Sequence, residues 1–528
     1  MKYVAIDIET DDLDFTKGNV KLISGYSEGN YSCVYEDFSK IKDVLEDKNI
    51  IKIFHNASFD VSWLTYNGIK VTNYVDTMIM AQILNYEEAS LKYLCKKLLN
   101  VDLDKNLQSS DNWKDEVLTE SHKQYCLNDS KYTYELFYIL YAEIVSKGLL
   151  EVFNREMEVL PAMVNLKING IMLDLKGWKE EVKVLEGKAN EIEKEFKTLI
   201  GDESVNLNSP KQIIQAFQNK NIPIKSTADE VLAQFEDIYD EIKLLRKYRK
   251  LQKNIATFGY KITEYSDENN TIRPNWRQIG AISGRMSCSR PALQGVPRIM
   301  KPYFKAREGF TFVVADFSQV ELRILAEVSR DKTMIDVFSN DMDLHSITAS
   351  KVFNKSVENI TDIERQIGKS LNFGIVYGIT ENGIQNQIRK NTGEEISIQE
   401  AMKYRLNFFK AYKNIYILQN ILLKSKEIRS LGGRVWGNNL KSNQKLNYCI
   451  QGTGADVLKE SLIEFMKVKS ENYKLCAVVH DEIVIEVPKE ESNKASKLLL
   501  ESMEKGMGKF IKSVPCKVDI KISEKWVK

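Results

Sequence analysis

Asp7 and Glu9 stand two positions apart where the apolar opening of "YVAIDIETDDL" ends. On a strand, side chains alternate faces, so the two carboxylates point the same way, roughly 7 Å apart at the backbone. Carboxylates held that close repel unless cations lie between them. Divalent ions with oxygen ligands are the usual solution. Phosphodiester hydrolysis uses two such ions about 4 Å apart, one activating water and one holding the leaving oxygen. A solvated acidic strand end is the plainer alternative for this pair alone.

Other stretches repeat the theme. "IFHNASFDVSWL" sets Asn56 and Asp60 after an apolar run, and "YCLNDSKYTYEL" places Tyr125 and Asp129 four apart, on one helix face. "VVADFSQVELRILA" reads as a buried strand that ends at Asp316 and passes into a helix. "VVHDEIVIEV" offers His480, Asp481 and Glu482 at a strand-to-strand turn. A polar hairpin tip is the alternative there. Asp316 and Asp481 lie 165 residues apart, and spacing alone does not bring them together. In "ERQIGKSLNFGIVYG", Arg365, Lys369, Phe373 and Tyr377 recur every fourth residue, a helical stripe that drifts about 40° per step. Two cations followed by two rings suit a nucleoside triphosphate, charges to phosphates and rings to sugar and base. An ordinary amphipathic face is the alternative. Gly368, Gly374 and Gly378 make this a poor helix by propensity and point to close approach by a ligand or a backbone.

The elements that must position these groups divide the chain. At 528 residues it is too long for one domain. Residues 1–145 read as a self-contained α/β unit, with short strands over 1–50 and helical periodicity over 75–145. Residues 150–265 and 331–440 are helical in pattern, and 475–487 reads as two apolar strands. Between Glu241 and Lys253 run Lys243, Arg246, Lys247, Arg249, Lys250 and Lys253, either a solvated helix face or a DNA contact. Lys plus Arg is 75 and Asp plus Glu 74, a net charge of +1, which argues against a purely electrostatic nucleic-acid binder but allows a basic groove. Seven scattered cysteines without a CxxC pair read as free thiols in a reducing compartment. No signal peptide and no spanning apolar run stand in the sequence, so a protein of the cytoplasm, its own cell's or a host's, with no membrane partner is expected.

The first three stretches together resemble the DEDD-type 3′–5′ exonucleases, in the subclass with a tyrosine, over about 140 residues. That resemblance implies an RNase H-like fold, a mixed sheet with flanking helices, in which Asp7, Glu9, Asp60 and Asp129 hold two metals and Tyr125 orients the attacking water. The stretches ending at Asp316, spanning Arg365–Tyr377 and turning at Asp481 resemble the A, B and C motifs of family A DNA polymerases, the DNA polymerase I type. "NLNSPKQI", "ISGRMSCSRPALQGVPR", "DLHSITA" and "NYCIQGTGADVLK" extend the likeness over nearly everything after residue 150.

This second resemblance implies a right-hand fold over 150–528. Its helical thumb spans about 175–265, its α+β palm about 270–330 and 440–528, and its helical fingers about 331–440. Asp316 and Asp481 are implied to hold two magnesium ions, for which manganese substitutes. Arg365, Lys369 and His345 are implied to neutralise the triphosphate, with Lys369 also a general acid. Gln319 belongs to the nucleotide site, Phe373 packs on the sugar, Tyr377 stacks near the template base, and Glu321 is the steric gate that selects deoxynucleotides. Arg285, Gln294, Gln451 and His480 match positions that read the minor groove or hold the primer end, where acceptors are alike in all correct pairs. Arg249 and Lys253 become thumb contacts to DNA.

The expected partners are primer-template DNA and deoxynucleoside triphosphates, and the expected state is a monomer. No long thumb insertion stands out that would dock a clamp. Because the chain opens at the exonuclease, flap removal is not expected of it. Phe317, Gly295, Asn443 and Val478 replace a tyrosine, an asparagine, an arginine and a glutamine common in the family, and each removes a polar DNA contact. Phe373 in place of tyrosine implies rejection of dideoxynucleotides.

Three readings compete with a proofreading DNA polymerase. A nuclease with a DNA-binding C-terminal body has no need of Asp316, Asp481, Arg365 and Lys369 together. A single-subunit RNA polymerase has neither Glu321 nor a fused exonuclease. A non-catalytic scaffold requires both acidic sets to be accidental.

Overall fold

The computed structural model describes residues 2–527 other than 30, 105, 115, 116 and 438. The N-terminal part is built on a five-stranded sheet of β1 (Tyr3–Thr10), β2 (Val20–Ser27), β3 (Tyr31–Tyr35), β4 (Ile51–Phe54) and β5 (Tyr74–Asp76), in the order β3-β2-β1-β4-β5. β1 is antiparallel to β2 and parallel to β4, so the sheet is mixed. Val4, Ala5 and Ile6 are buried in succession because β1 is central and covered on both faces. Its ladder with β2 shifts register between Glu9 and Thr10, a bulge beside the acidic pair. Helices α1 (Ala57–Tyr66), α2 (Thr77–Ile83) and α3 (Glu120–Ser146) flank the sheet.

Helix α4 (Leu150–Asn169) belongs to two cores. Val152 and Phe153 pack with Leu136 and Leu140 of α3, and Leu160 and Val164 pack with Ile6 and Trp63. Val159, Ala162, Met163 and Leu166 join the large C-terminal core instead. Beyond it, α5 (Leu175–Ile200) and α6 (Asp240–Phe258) bury Ala189, Ile192 and Phe196 against Ile242, Leu245 and Tyr248, a separate small core.

The C-terminal part carries a four-stranded antiparallel sheet of β6 (Phe310–Phe317), β7 (Lys474–Val479), β8 (Glu482–Pro488) and β9 (Val518–Ser523), ordered β7-β8-β6-β9. Helices α7 (Val320–Ser329) and α10 (Ser442–Val468) contribute Leu322, Ile324, Val457 and Leu462 to the core on this sheet. Between them in sequence lie α8 (Leu344–Phe353) and α9 (Asp362–Val376). The glycine signal in α9 has its explanation here. A Cβ on Gly368 would stand 2.4 Å from the carbonyl oxygen of His345, so α8 and α9 touch backbone to backbone. Among the described residues no helix is long and apolar enough to cross a membrane, and all seven cysteines are free.

Candidate active sites

At the sheet of the N-terminal part, ligand oxygens of Asp7, Glu9 and Asp129 lie within 4.8 Å of one another. β1 supplies the first two on one face, and α3 crosses to bring Asp129, a pair of contacts more than 110 residues long-range. Tyr125 stands one turn earlier on α3. Burial, then the charges of Asp129, Glu9 and Asp7, push its phenol well above the usual range, so it stays a neutral donor facing the cluster. Asp60 lies in the first turn of α1, the helix that follows β4. Its Oδ1 accepts from the backbone N–H of Ile8, between the two β1 acids, at 3.3 Å. Burial raises the Asp60 carboxyl well above the usual carboxylate range. Asp7, Glu9 and Asp129, with Asp60 bonded to the backbone between the two β1 acids, form a hard-oxygen donor set that fits divalent ions.

In the C-terminal part the register of the sheet decides what spacing could not. Asp316 of β6 pairs with Glu482 of β8, and the N–H of Phe317 reaches the carbonyl of Asp481 at 3.4 Å. Asp316 and Asp481 therefore meet at one end of adjacent strands. His480 holds the turn with φ 59°, in the left-handed region, and is exposed. Glu482 departs from the turn-tip reading. It is the first residue of β8, fully buried, and its Oε1 accepts from Lys301 Nζ at 3.2 Å and Trp526 Nε1 at 2.8 Å, so it anchors the palm sheet from behind.

A second group of expected residues stands on α8 and α9. α9 carries Arg365, Lys369 and Phe373, and Tyr377 caps its C-terminus. Arg365 donates to Asp343 Oδ2 at 2.6 Å, and Lys369 is exposed. His345 of α8 is buried, packs at 5.9 Å from the Phe373 ring, and its Nδ1 meets Asn372 Nδ2 at 3.0 Å. Burial pushes its imidazole down to about 4. Burial thus disfavours the charged imidazole here, while Arg365 and Lys369 stand on the neighbouring α9. The Tyr377 hydroxyl and the Arg285 guanidinium both bond the carboxylate of Glu321, at the first turn of α7. Burial, then Glu321, raise the Tyr377 phenol. Gln319 caps α7 in the left-handed conformation at φ 54°.

Other expected DNA contacts differ in availability. Gln294 accepts from Cys288 Sγ at 3.0 Å, and Gln451 is half-buried on α10. On α6, Lys243, Lys247, Lys250 and Lys253 are exposed. Arg249 is not a free cation of that face. It donates to the carbonyls of Thr227 at 2.7 Å and Leu207 at 3.5 Å and ties α6 to the loops that precede it. Arg246 likewise bonds Asp229 at 2.8 Å. The space of the missing asparagine side chain at Gly295 is taken by Phe258, whose ring would lie 3.0 Å from a Cβ there.

Several supporting residues escaped the sequence reading. Asp76 accepts from the backbone of Asn56 and Ala57 at 3.1 and 2.8 Å and also caps α2, so it holds the start of the helix that carries Asp60. An aspartate just before an apolar periodic run was the available signal. Lys167 of α4 bonds Ser58 Oγ at 2.9 Å and lies by Asp60 and Asp76; burial lowers it to about 8. Cys126 Sγ lies 3.7 Å from Asp7 Oδ2. Neither had a signal, because each acts across the tertiary structure.

The architecture and its two acidic centres define a nucleic-acid polymerase joined to a nuclease. A family description of 3′–5′ exonucleases matches residues 1–144, and that of DNA polymerase family A matches 176–528. DNA polymerase I of Aquifex aeolicus (strain VF5) is 35% identical over 567 residues, spanning 100% of this chain and 96% of that protein. DNA polymerase I of Borreliella burgdorferi is 30% identical over 576 residues, with 99% of this chain covered but only 62% of the relative. Among solved structures, the POL domain of Pol1 from M. smegmatis, in complex with DNA primer-template and dNTP, superposes with a TM-score of 0.87 at 21% identity, covering 99% of this chain and 95% of that one, a likeness of fold. The chain belongs to DNA polymerase family A. It is a DNA-directed DNA polymerase with 3′–5′ exonuclease activity, of the kind that serves replication and repair. Both families work with divalent metal ions.

Proposed function

We propose that the chain, as a monomer in the bacterial cytoplasm, extends a primer 3′ end on a DNA template at Asp316 and Asp481 and trims mispaired ends at Asp7, Glu9, Asp60 and Asp129. The observation that carries the polymerase assignment is the meeting of Asp316 and Asp481 across β6 and β8. Each carboxylate set would hold two Mg2+ ions, which when bound lower the pKa of the attacking oxygen and offset the charge of the displaced one.

The chain's own groups do the rest. Lys369 and Arg365 bind the triphosphate, Arg365 by exchanging Asp343 for phosphate, and Lys369 is placed to give a proton to the leaving pyrophosphate. His345 donates a neutral hydrogen bond, Phe373 packs on the sugar, and Gln319 lines the nucleotide site. Glu321, held between Tyr377 and Arg285, fills the place of a 2′-hydroxyl and so selects deoxynucleotides. Arg285, Gln294, Gln451 and His480 contact the primer end and minor groove, and Lys253 with its exposed neighbours contacts the duplex backbone. In the exonuclease Tyr125 orients the attacking water. We assign exonuclease, thumb, palm and fingers to 1–145, 175–265, 270–330 with 440–528, and 331–440. The separate core of α5 and α6 supports the thumb assignment.

The test uses a 5′-labelled primer with a mismatched 3′ end on a longer template. With magnesium alone the enzyme should trim it, and with deoxynucleotides, not ribonucleotides, trim and then extend it fully. Asp7→Ala should abolish trimming only, and Asp316→Ala extension only. Extension that survives Asp316→Ala would overturn the polymerase assignment.

A further inference from the structure

A cluster of buried charges outside both sites is left without a role. Glu156 of α4, Asp456 and Lys459 of α10, and Arg434 are all buried, with Glu156, Asp456 and Lys459 at 0% exposure. Lys459 Nζ donates to Glu156 Oε1 at 2.7 Å and Arg434 Nε to Asp456 Oδ1 at 2.7 Å, while Arg434 also bonds Glu156. Burial opposes ionisation of Glu156, yet Arg434 and Lys459 outweigh it and hold the carboxyl down to about 2. Hydrophobic residues of similar volume often hold such a core as well, so the bonds this network makes to its surroundings are where a role is to be sought.

Asp456 also takes Ser430 Oγ at 2.7 Å and faces Arg155, while the outlets of Lys459 and Glu156 lead to the short segment 278–285. Lys459 Nζ donates to the carbonyl of Gly284 at 2.9 Å. Gln278 Nε2 donates to the carbonyl and the Oε2 of Glu156 at 2.7 and 2.6 Å. Trp436 Nε1, on the hairpin after Arg434, donates to the carbonyl of Ile282 at 2.7 Å. The segment closes on itself, because Gly280 N–H donates to the carbonyl of Arg285 at 2.9 Å. Gly284 sits at φ +88°, and a Cβ there would meet Arg434 Nε at 2.8 Å, so the loop rests directly on the network. Arg285 emerges from this loop to bond Glu321.

We propose that the Glu156–Lys459–Arg434 network is a positioning device for Arg285: it fixes the height of the 278–285 loop, and with it the guanidinium that tests the primer-terminal pair. This rests on the minor-groove role assigned to Arg285 above. Because α4 also packs into the nuclease core through Val152 and Phe153, the same helix ties the reader of the primer end to the domain that removes mispaired ends.

The experiment measures kcat and KM for adding the next nucleotide to matched and mismatched primers, in an Asp7→Ala background that does not trim. Arg285→Ala should lower kcat/KM on the matched end about tenfold and change the mismatched end far less. Lys459→Met should reproduce that pattern with dNTP KM little changed, and the Arg285→Ala/Lys459→Met pair should be no worse than Arg285→Ala alone. Trp436→Phe, which keeps an aromatic ring but removes the donor to Ile282 along with part of the indole's volume, should shift discrimination in the same direction by a few-fold. It carries the test if Lys459→Met does not fold. A folded Lys459→Met, or in its place Trp436→Phe, with unchanged discrimination overturns the proposal, as does a double variant whose losses multiply. If Arg285→Ala itself leaves discrimination unchanged, the minor-groove reading of Arg285 falls and the positioning role falls with it.

Discussion

Gly368→Ala is the substitution that asks most of the α8–α9 contact. By local propensity it should help, since alanine in a helix interior is favoured over glycine by about 1 kcal/mol. The packing says otherwise. The new Cβ would lie 2.4 Å from the His345 oxygen, 3.0 Å from the Ala349 nitrogen and 3.2 Å from the Ala349 Cβ. Two of these are backbone atoms of α8 and have no rotamer to change. Ordinary contact at 3.4 Å requires the helices to separate by about 1 Å at this point. Overpacking of a methyl into a tight core costs about 1–3 kcal/mol, so the balance is destabilising by about 1 kcal/mol. The functional effect is larger than the stability effect, because His345 moves away from Lys369 and Phe373 on the neighbouring helix. A displacement of that size at a binding site costs up to about 100-fold in rate. We expect kcat/KM for deoxynucleotides to fall ten- to a hundredfold, mostly through KM, while trimming of a single-stranded primer by the same preparation is unchanged. Unaltered KM together with a raised melting temperature would show that α8 and α9 are not held at this distance, and would refute the reasoning.

Three further outcomes are expected. His345 is protonated in the unfolded chain below pH 6.5 but in the folded one only near 4, so the unfolded state binds more protons across that window; stability should fall as pH drops from 6.5 toward 4, by about 2 kcal/mol, and denaturant titrations should show a shallower fall for His345→Gln. Gly295→Asn should weaken primer-template binding, since the new side chain must displace the Phe258 ring, and Phe258→Ala should relieve the defect in gel-shift titrations. Phe373→Tyr should raise dideoxynucleotide incorporation relative to the wild type in a primer-termination assay; equal termination by the two enzymes would contradict the role given to Phe373.

What the sequence by itself determined is the chemistry and the local frame that carries it. Asp7 and Glu9 on one strand face, Tyr125 and Asp129 on one helix face, and the Arg365–Lys369–Phe373 stripe follow from periodicities of two and 3.6 residues, which act over short distances. The motifs in their order then named the family. The tertiary structure alone decided which groups meet and which are free. Sheet register brought Asp481 to Asp316, the turn of α6 sent Arg249 inward to the carbonyls of Thr227 and Leu207, and burial pushed the His345 imidazole down. It also set Glu156, Arg434 and Lys459 under the loop of Arg285, though 303 residues separate Glu156 from Lys459. Burial and long-range pairing are properties of the packed chain, and no local pattern of residues encodes them.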